Sequence, residues 1–162
     1  MIDRMVRAAK LDSRLYEEVE ADRGALSQAM GVVVLSSIAG GLGSRLGLSG
    51  FLAAAVAALI AWFIWAALTW LIGTKLLPEP QTRSDVGELL RTIGFSSSPG
   101  IIRVFGVIPG LTSVVFFVAG VWMLAAMIIA VRQALDYTST LRAVGVCVIG
   151  FVIQGLLLLP FR

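Results

Sequence analysis

Residues 46–74 read LGLSGFLAAAVAALIAWFIWAALTWLIGT, a run without a charged side chain. Since an α-helix rises about 1.5 Å per residue, this run is long enough to cross the roughly 30 Å hydrocarbon core of a bilayer. A second uncharged run, residues 24–44, is also long enough. The whole chain of 162 residues is 58% hydrophobic and only 14% charged, whereas soluble domains are about a quarter charged. The sequence therefore predicts an integral membrane protein and excludes an ordinary soluble domain.

The other apolar runs complete an all-α, polytopic bundle of five transmembrane helices in residues 24–162. We predict spans at about residues 25–44, 48–73, 86–107, 111–132 and 141–160. The third is the least regular, because Arg91 and Arg103 bracket only eleven uncharged residues. We expect it to lie inside the bundle, with the two arginines reaching opposite interfaces. Proline removes a backbone donor, so we also expect this helix to be bent or broken near Ser98, Pro99 and Gly100.

Residues 1–23 form a strongly charged N-terminal segment. Apolar residues recur in it at helical spacing, which predicts two short amphipathic helices at the cytoplasmic surface or the membrane interface. The acidic turn formed by Glu17 and Glu18, beside Tyr16, is either a docking surface for a partner or a solvated helix face.

The basic residues predict the orientation of the chain in the membrane. With five spans, ten of the thirteen arginines and lysines share the side of the N-terminus, and Arg45, Arg103 and Arg162 lie on the other side. The positive-inside rule then places the N-terminus in the cytoplasm and the C-terminus outside. A four-span chain, in which residues 92–102 only dip into the membrane, gives the same ratio. Charge alone does not choose between the two topologies.

The residue types present argue against enzymatic chemistry. The chain has no histidine and one cysteine, and histidine is the commonest general base and a frequent metal ligand. We predict no catalytic residue, no metal site, no cofactor and no enzymatic activity. The basic residues are scattered between apolar runs, so the sequence does not predict nucleic-acid binding either.

Polar side chains inside the predicted spans are the best candidates for a functional path. They are Ser96, Ser97, Ser98, Arg103 and Gln154. Polar residues at membrane depth are costly and mark substrate pathways in many membrane proteins. A polar seam that bonds helices to one another is an equally compatible interpretation.

Tryptophans of the second span are candidates for a contact surface. Aromatic side chains are enriched at protein interfaces, although lipid-facing tryptophans are the plain alternative. Together with the acidic turn they form the predicted partner surface, which consists of Tyr16, Glu17, Glu18, Trp62, Trp65 and Trp70.

Several short motifs, in order along the chain, resemble the Yip domain family of small multispan membrane proteins. The motif and helix break of the third span are Gly94, Phe95, Ser96, Pro99 and Gly100, with Phe95 in place of the tyrosine of the family's Gly-Tyr-Ser element. The further matches are the Pro109-Gly110 turn, VRQAL at residues 131–135 and TSTLRA at residues 138–143.

The resemblance implies five helices, a cytoplasmic N-terminus and, for eukaryotic members, small Rab-type GTPases as partners. The family's cytosolic Asp-Leu-Tyr-Gly-Pro element is not matched, because Leu15 and Tyr16 are followed by Glu17 and Glu18. We therefore do not expect binding to a Rab-type GTPase. The compact form is similar to bacterial members, which implies the bacterial cytoplasmic (inner) membrane.

These observations lead to two functional hypotheses. The first is a non-enzymatic membrane scaffold or accessory subunit, whose partners are membrane lipid and other integral membrane proteins. The alternative is a small transporter or channel that uses the polar third helix interrupted by Pro99 and Gly100, because broken helices line binding sites in transporters.

Overall fold

The computed structural model describes residues 1–45 and 47–158, and this part of the chain is helical with no strand. The helices are α1 (Ile2–Ala9), α2 (Ser13–Ala21), α3 (Ala25–Gly43), α4 (Leu48–Leu71), α5 (Val86–Ser96), α6 (Thr112–Ala134) and α7 (Thr140–Leu158). A π-helical turn, Ile72–Leu76, continues α4, and a 3₁₀ helix, Ser98–Val107, follows α5. The all-α fold class is confirmed.

Three helical stretches are long and apolar enough to cross a membrane: Ala25–Gly43, Gly50–Leu76 and Thr112–Ala134. They coincide with the predicted first, second and fourth spans, and they make this a membrane-embedded protein. The apolar stretch of α7, Thr140–Leu156, is shorter. The last two residues of the predicted fifth span, 159 and 160, lie outside the described residues.

The predicted third span is divided into two helices. α5 has 11 residues, so it covers about 17 Å, roughly half of the hydrocarbon core. It ends at Ser96, and the 3₁₀ helix begins at Ser98 with Pro99 in its first turn. Residues 91–96 and 98–100 are buried, with α2, α3, α4 and α6 packed around them. The break thus lies in the interior of the bundle.

The side chains of Arg91 and Arg103 bind different parts of the bundle. The Nε of Arg91 donates to the carbonyl oxygen of Val19 at 2.9 Å, and its guanidinium also bonds the carbonyl of Glu20 at the end of α2. Arg103 does not reach the opposite interface, which corrects the sequence-based expectation. Its guanidinium folds back into the bundle, because carbonyl and hydroxyl acceptors are available there at Gly100 and Ser36.

The N-terminal segment is packed against the bundle. Asp12 caps α2 by accepting a hydrogen bond from the backbone N–H of Arg14. Leu15, Tyr16 and Val19 are fully buried, and α2 packs against α5 and α6. The segment is therefore part of the hydrophobic core.

The connections between helices define two ends of the molecule. We call the end that carries α2, residues 77–85 and residues 135–139 the acidic end, because the ten acidic residues of the chain lie at positions 3–22, 79–88 and 136. The opposite end carries Arg45, whose Nη2 donates to the carbonyl oxygen of Val107 at 3.0 Å.

Small residues allow α3 and the 3₁₀ helix to touch backbone to backbone. A Cβ atom on Gly43 would overlap the carbonyl oxygen of Arg103, and one on Gly106 would lie 3.1 Å from the carbonyl oxygen of Gly43. Where lipid surrounds a bundle, such close approach is a main source of helix association. The small residues here serve packing within the chain.

We expect Gly43→Ala to lower the stability of the protein by about 1–3 kcal/mol, the usual cost of overpacking. The measurement is the midpoint of thermal unfolding in detergent. Gly120→Ala is the matched control, since a Cβ atom at this position of α6 meets nothing within 4 Å. Equal midpoints for the two variants would contradict the close approach of α3 and the 3₁₀ helix.

Candidate functional site

A cavity of about 470 Å³ lies beside the helix break and opens to the surface of the bundle, where its lining residues Ser44, Ala61 and Phe151 are exposed. One wall is formed by small and polar residues of α3, and the facing wall by alanines of α4. The remaining wall comes from the break itself, from α6 and from α7. The α3 and α4 residues are Val33, Ser36, Ser37, Gly40, Gly41, Ser44, Ala54, Ala58, Ala61, Trp62 and Trp65.

Arg103 places its guanidinium in the wall of this cavity. Its Nε donates to the carbonyl oxygen of Gly100 at 3.0 Å, and its Nη2 donates to the carbonyl oxygen and the hydroxyl of Ser36 at 2.8 and 2.7 Å. The guanidinium carbon also lies 5.9 Å from the centre of the Phe116 ring. Because Ser36 is near the middle of α3, the charge sits deep within the span.

Two glycines leave room for this guanidinium. A Cβ atom on Gly100 would overlap the Ser36 hydroxyl oxygen, and one on Gly40 would lie 3.2 Å from the guanidinium carbon of Arg103. Larger side chains at these positions would push Arg103 away from Ser36.

The Arg103 charge has no counter-ion among the described residues. No carboxylate of residues 1–45 or 47–158 lies within 4.0 Å of it, whereas Arg4, Arg7 and Arg142 do form ion pairs. The acidic residues of the sequence fall in the segments that form the acidic end of the bundle.

Trp65 also lines this cavity. The residue is 7% exposed, and its indole N–H is fully buried without a hydrogen-bond partner among the described residues. The ring packs against Phe151, with centroids 4.6 Å apart. Because the N–H is buried from a water-sized probe, the ring and not the N–H borders the cavity.

The structure brings most of the predicted polar set together. Ser96, Ser97, Arg103 and Gln154 all line the cavity. Ser98 is not part of the lining; its buried hydroxyl donates to the carbonyl oxygen of Phe95 at 2.7 Å. Two features of different helices, the polar break and Gln154 of α7, therefore meet at one site.

The motif residues of the third span form the support behind the cavity. Phe95 is fully buried, and Pro99 and Gly100 are buried in the 3₁₀ helix. A Cβ atom on Gly94 would lie 2.7 Å from the Cβ of Ala29, so α5 packs tightly on α3. Ser96 donates to the carbonyl oxygen of Ile93 at 2.7 Å.

The predicted aromatic partner surface needs correction. Tyr16, Trp62 and Trp65 are buried within the chain. Trp62 donates its indole N–H to the carbonyl oxygen of Leu90, and Trp70 donates to that of Ser84, each at 3.0 Å. Indole groups removed from water need acceptors, and these two indole groups find theirs inside the molecule.

The acidic turn also makes its contacts within the chain. Glu17 accepts a hydrogen bond from the side-chain amide of Gln133 at 2.7 Å. Glu18 pairs with Arg4 at 2.8 Å and with Arg7 at 2.6 Å. Both carboxylates are also exposed, so the docking-surface interpretation of this turn stays a prediction.

Glu79 has a structural role that its sequence position does not predict. It joins the α4–α5 connection to the loop before α7 by accepting hydrogen bonds from the N–H of Thr138 at 2.9 Å and its hydroxyl at 2.8 Å. These bonds lower the pKa of the Glu79 carboxyl to about 2. Arg142 lies 3.6 Å away. A carboxylate so far along the chain from its donors carries no local sequence signal.

A second, polar cavity of about 380 Å³ lies at the acidic end, beside Glu20. Burial, together with the nearby carboxylates of Glu88 and Asp136, raises the pKa of the Glu20 carboxyl to about 7. Glu20 is thus a group that changes charge near neutral pH.

Comparison with known proteins finds no family model, no curated protein and no solved structure that matches this chain at a significant level. The similarity of the motifs to the Yip domain family therefore stays a prediction.

We expect Glu20→Gln to change the pH dependence of stability. In the unfolded chain the carboxyl titrates near 4.5. A carboxyl with a raised pKa holds its proton more tightly in the folded protein, so its contribution to stability falls as the pH rises from about 4.5 to about 7. The unfolding temperature of the variant relative to wild type should therefore rise from pH 5 to pH 8.

Glu79→Gln is the matched control, because the pKa of the Glu79 carboxyl is lowered in the folded protein, whereas that of Glu20 is raised. Its folded pKa of about 2 lies below this window, so the variant should be less stable than wild type by the same amount at pH 5 and pH 8. If Glu20→Gln also gave a pH-independent difference, the raised pKa of Glu20 would be wrong.

Proposed function

We propose that the protein is a non-enzymatic membrane protein that binds a ligand in the cavity beside the helix break and acts as a small transporter. The observation that carries this proposal is the cluster of Arg103, Ser96, Ser97 and Gln154 around this one cavity. Discontinuous helices with polar residues near the bilayer midplane are typical of binding sites in secondary transporters.

The proposal includes five membrane crossings. α5 and the 3₁₀ helix together rise about 37 Å at about 1.5 and 2.0 Å per residue, which is enough to cross the bilayer as one interrupted span. The 19 residues of α7 rise about 28 Å at the same helical pitch. With the ten-to-three bias of basic residues, the N-terminus is cytoplasmic, and a bacterial cytoplasmic membrane is the proposed location.

A scaffold or accessory-subunit role is the second candidate. It is favoured by the exposed apolar side chains of α1, Ile2 and Val6, which lie outside the candidate spans. Membrane lipid at the headgroup level also accounts for such a helix. We rank this role second because three aromatic residues of the expected contact surface are buried.

The topology can be tested with reporters. A reporter that is active only outside the cytoplasm should be active when fused after Arg162. A reporter that is active only in the cytoplasm should be active when inserted between Pro80 and Gln81. Cytoplasmic activity after Arg162 would instead indicate four spans.

The transporter proposal can be tested by the accessibility of the cavity. In a Cys147→Ala background, Ala58→Cys places a thiol in the cavity wall. If the site opens alternately to the two sides, membrane-impermeant thiol reagents should label this cysteine from either side of oriented vesicles. Ala143→Cys is the control and should stay unlabelled, because Ala143 is fully buried. Labelling of Ala58→Cys from one side only, or from neither, would contradict the transporter role.

A further inference from the structure

We propose that the ligand of the cavity is an anionic lipid whose acidic headgroup binds Arg103. This inference rests on the proposed ligand-binding role and adds the chemical class of the ligand. It follows from the charge, the lining and the unpaired donor of the cavity.

The charge of the cavity requires an anion from outside the chain. Arg103 uses Nε and Nη2 to bond Gly100 and Ser36, and its Nη1 makes no hydrogen bond to a described residue. Nη1 lies 3.3 Å from the Cβ position of Gly40, which itself lines the cavity. A cation at membrane depth is costly unless it is paired, and the part of the chain that the structure describes brings no carboxylate to this one.

The lining argues for a ligand with an apolar body. Ala54, Ala58, Ala61, Met123 and Met127 form much of the wall. A volume of about 470 Å³ corresponds to about fifteen water molecules, far more than a small inorganic anion fills. Filling such a space with hydrocarbon removes apolar surface from water, which is favourable.

The depth of the cavity suits the acyl region of one leaflet. Its lining runs along α3 from Val33 to Ser44 and along α4 from Ala54 to Trp65. Each stretch rises about 17 Å, roughly half of the hydrocarbon core. Ser44, which is exposed, marks the outer end of the cavity. The headgroup that binds Arg103 lies about 12 Å inside this end, at the level of Ser36, where no acidic residue lines the cavity.

The free Nη1 of Arg103 suits a phosphate oxygen of such a lipid. A phosphate is an anion, and a hydrogen bond to it from a guanidinium is charge-assisted, which makes it one of the strong ones.

Tryptophan quenching can test the proposal in vesicles of phosphatidylcholine that contain purified full-length protein. Phosphatidylglycerol with brominated acyl chains should quench more fluorescence than phosphatidylcholine brominated at the same positions, because it also occupies the cavity. The excess should fall in Trp65→Phe and remain in Trp122→Phe, which removes an indole at the outer surface.

Variants of Arg103 show whether the headgroup is bound there. Arg103→Gln should lower the preference for phosphatidylglycerol about tenfold or more, and Arg103→Lys should retain part of it. Arg45→Gln is the matched control, because Arg45 lies at the same end but outside the cavity lining. Gel filtration and helical content establish that each variant is folded.

Three results would overturn the assignment: equal quenching by both lipids, an undiminished preference in folded Arg103→Gln, or full displacement of the excess quenching by inorganic phosphate at constant ionic strength. The last result would identify a free anion as the ligand. The experiment measures binding at equilibrium, so it can succeed even if Ala58→Cys is labelled from one side only, and failure of the lipid assignment leaves alternate access untouched.

Discussion

Backbone polar groups that lose their helical partners inside a membrane must find new ones within the protein, and this constraint governs the middle of the molecule. Pro99 interrupts the third span, where a lipid-facing helix could not be broken without cost. The hydroxyls of Ser96 and Ser98 bond the carbonyls of the preceding turn, and Arg103 bonds the carbonyls of Gly100 and Ser36. The same side chains that repair the break also line the cavity or support its wall.

At the acidic end, side chains also bond backbone carbonyls, but here the two partners are far apart in the sequence. Arg91 bonds the carbonyls at the end of α2, and the hydroxyl of Tyr137 donates to the carbonyls of Gly73 and Leu77 in and after the π-helical turn. Glu79 accepts the N–H groups of the loop before α7. The N-terminal segment is therefore bound into the bundle, and its removal would uncover apolar side chains of the core and leave Arg91 without its acceptors. It is not a detachable docking arm.

Hydropathy was sufficient to predict three spans, because the length and charge of a segment can be read from that segment alone. The Pro99-Gly100 pair was sufficient to predict the broken span, because proline disrupts the helix at its own position. The rotation of each helix was not predictable in the same way. α4 is apolar around its whole circumference, so its sequence does not indicate that Trp62 and Trp65 face inward. Contacts with distant parts of the chain accompany that rotation, because the Trp65 ring packs on Gly150 of α7 and Trp62 donates to the carbonyl oxygen of Leu90. The direction of Arg103 depends on Ser36, a residue 67 positions away, and such a pairing leaves no local pattern.

The distribution of charge bears on how such a transporter would work. Inside the predicted spans the sequence has one carboxylate, Glu88, which closes the capping box of α5 in the first turn of the third span. No Asp or Glu lines the cavity, so no side-chain carboxylate there can carry a coupling proton or cation across with the ligand. Movement would then follow the gradient of the ligand itself. A lipid is already concentrated in the bilayer and needs no entry from water, so an uncoupled site suits it better than it suits a scarce solute. The fixed charge of Arg103 selects the headgroup, the apolar wall accepts the chain, and the bilayer supplies both together.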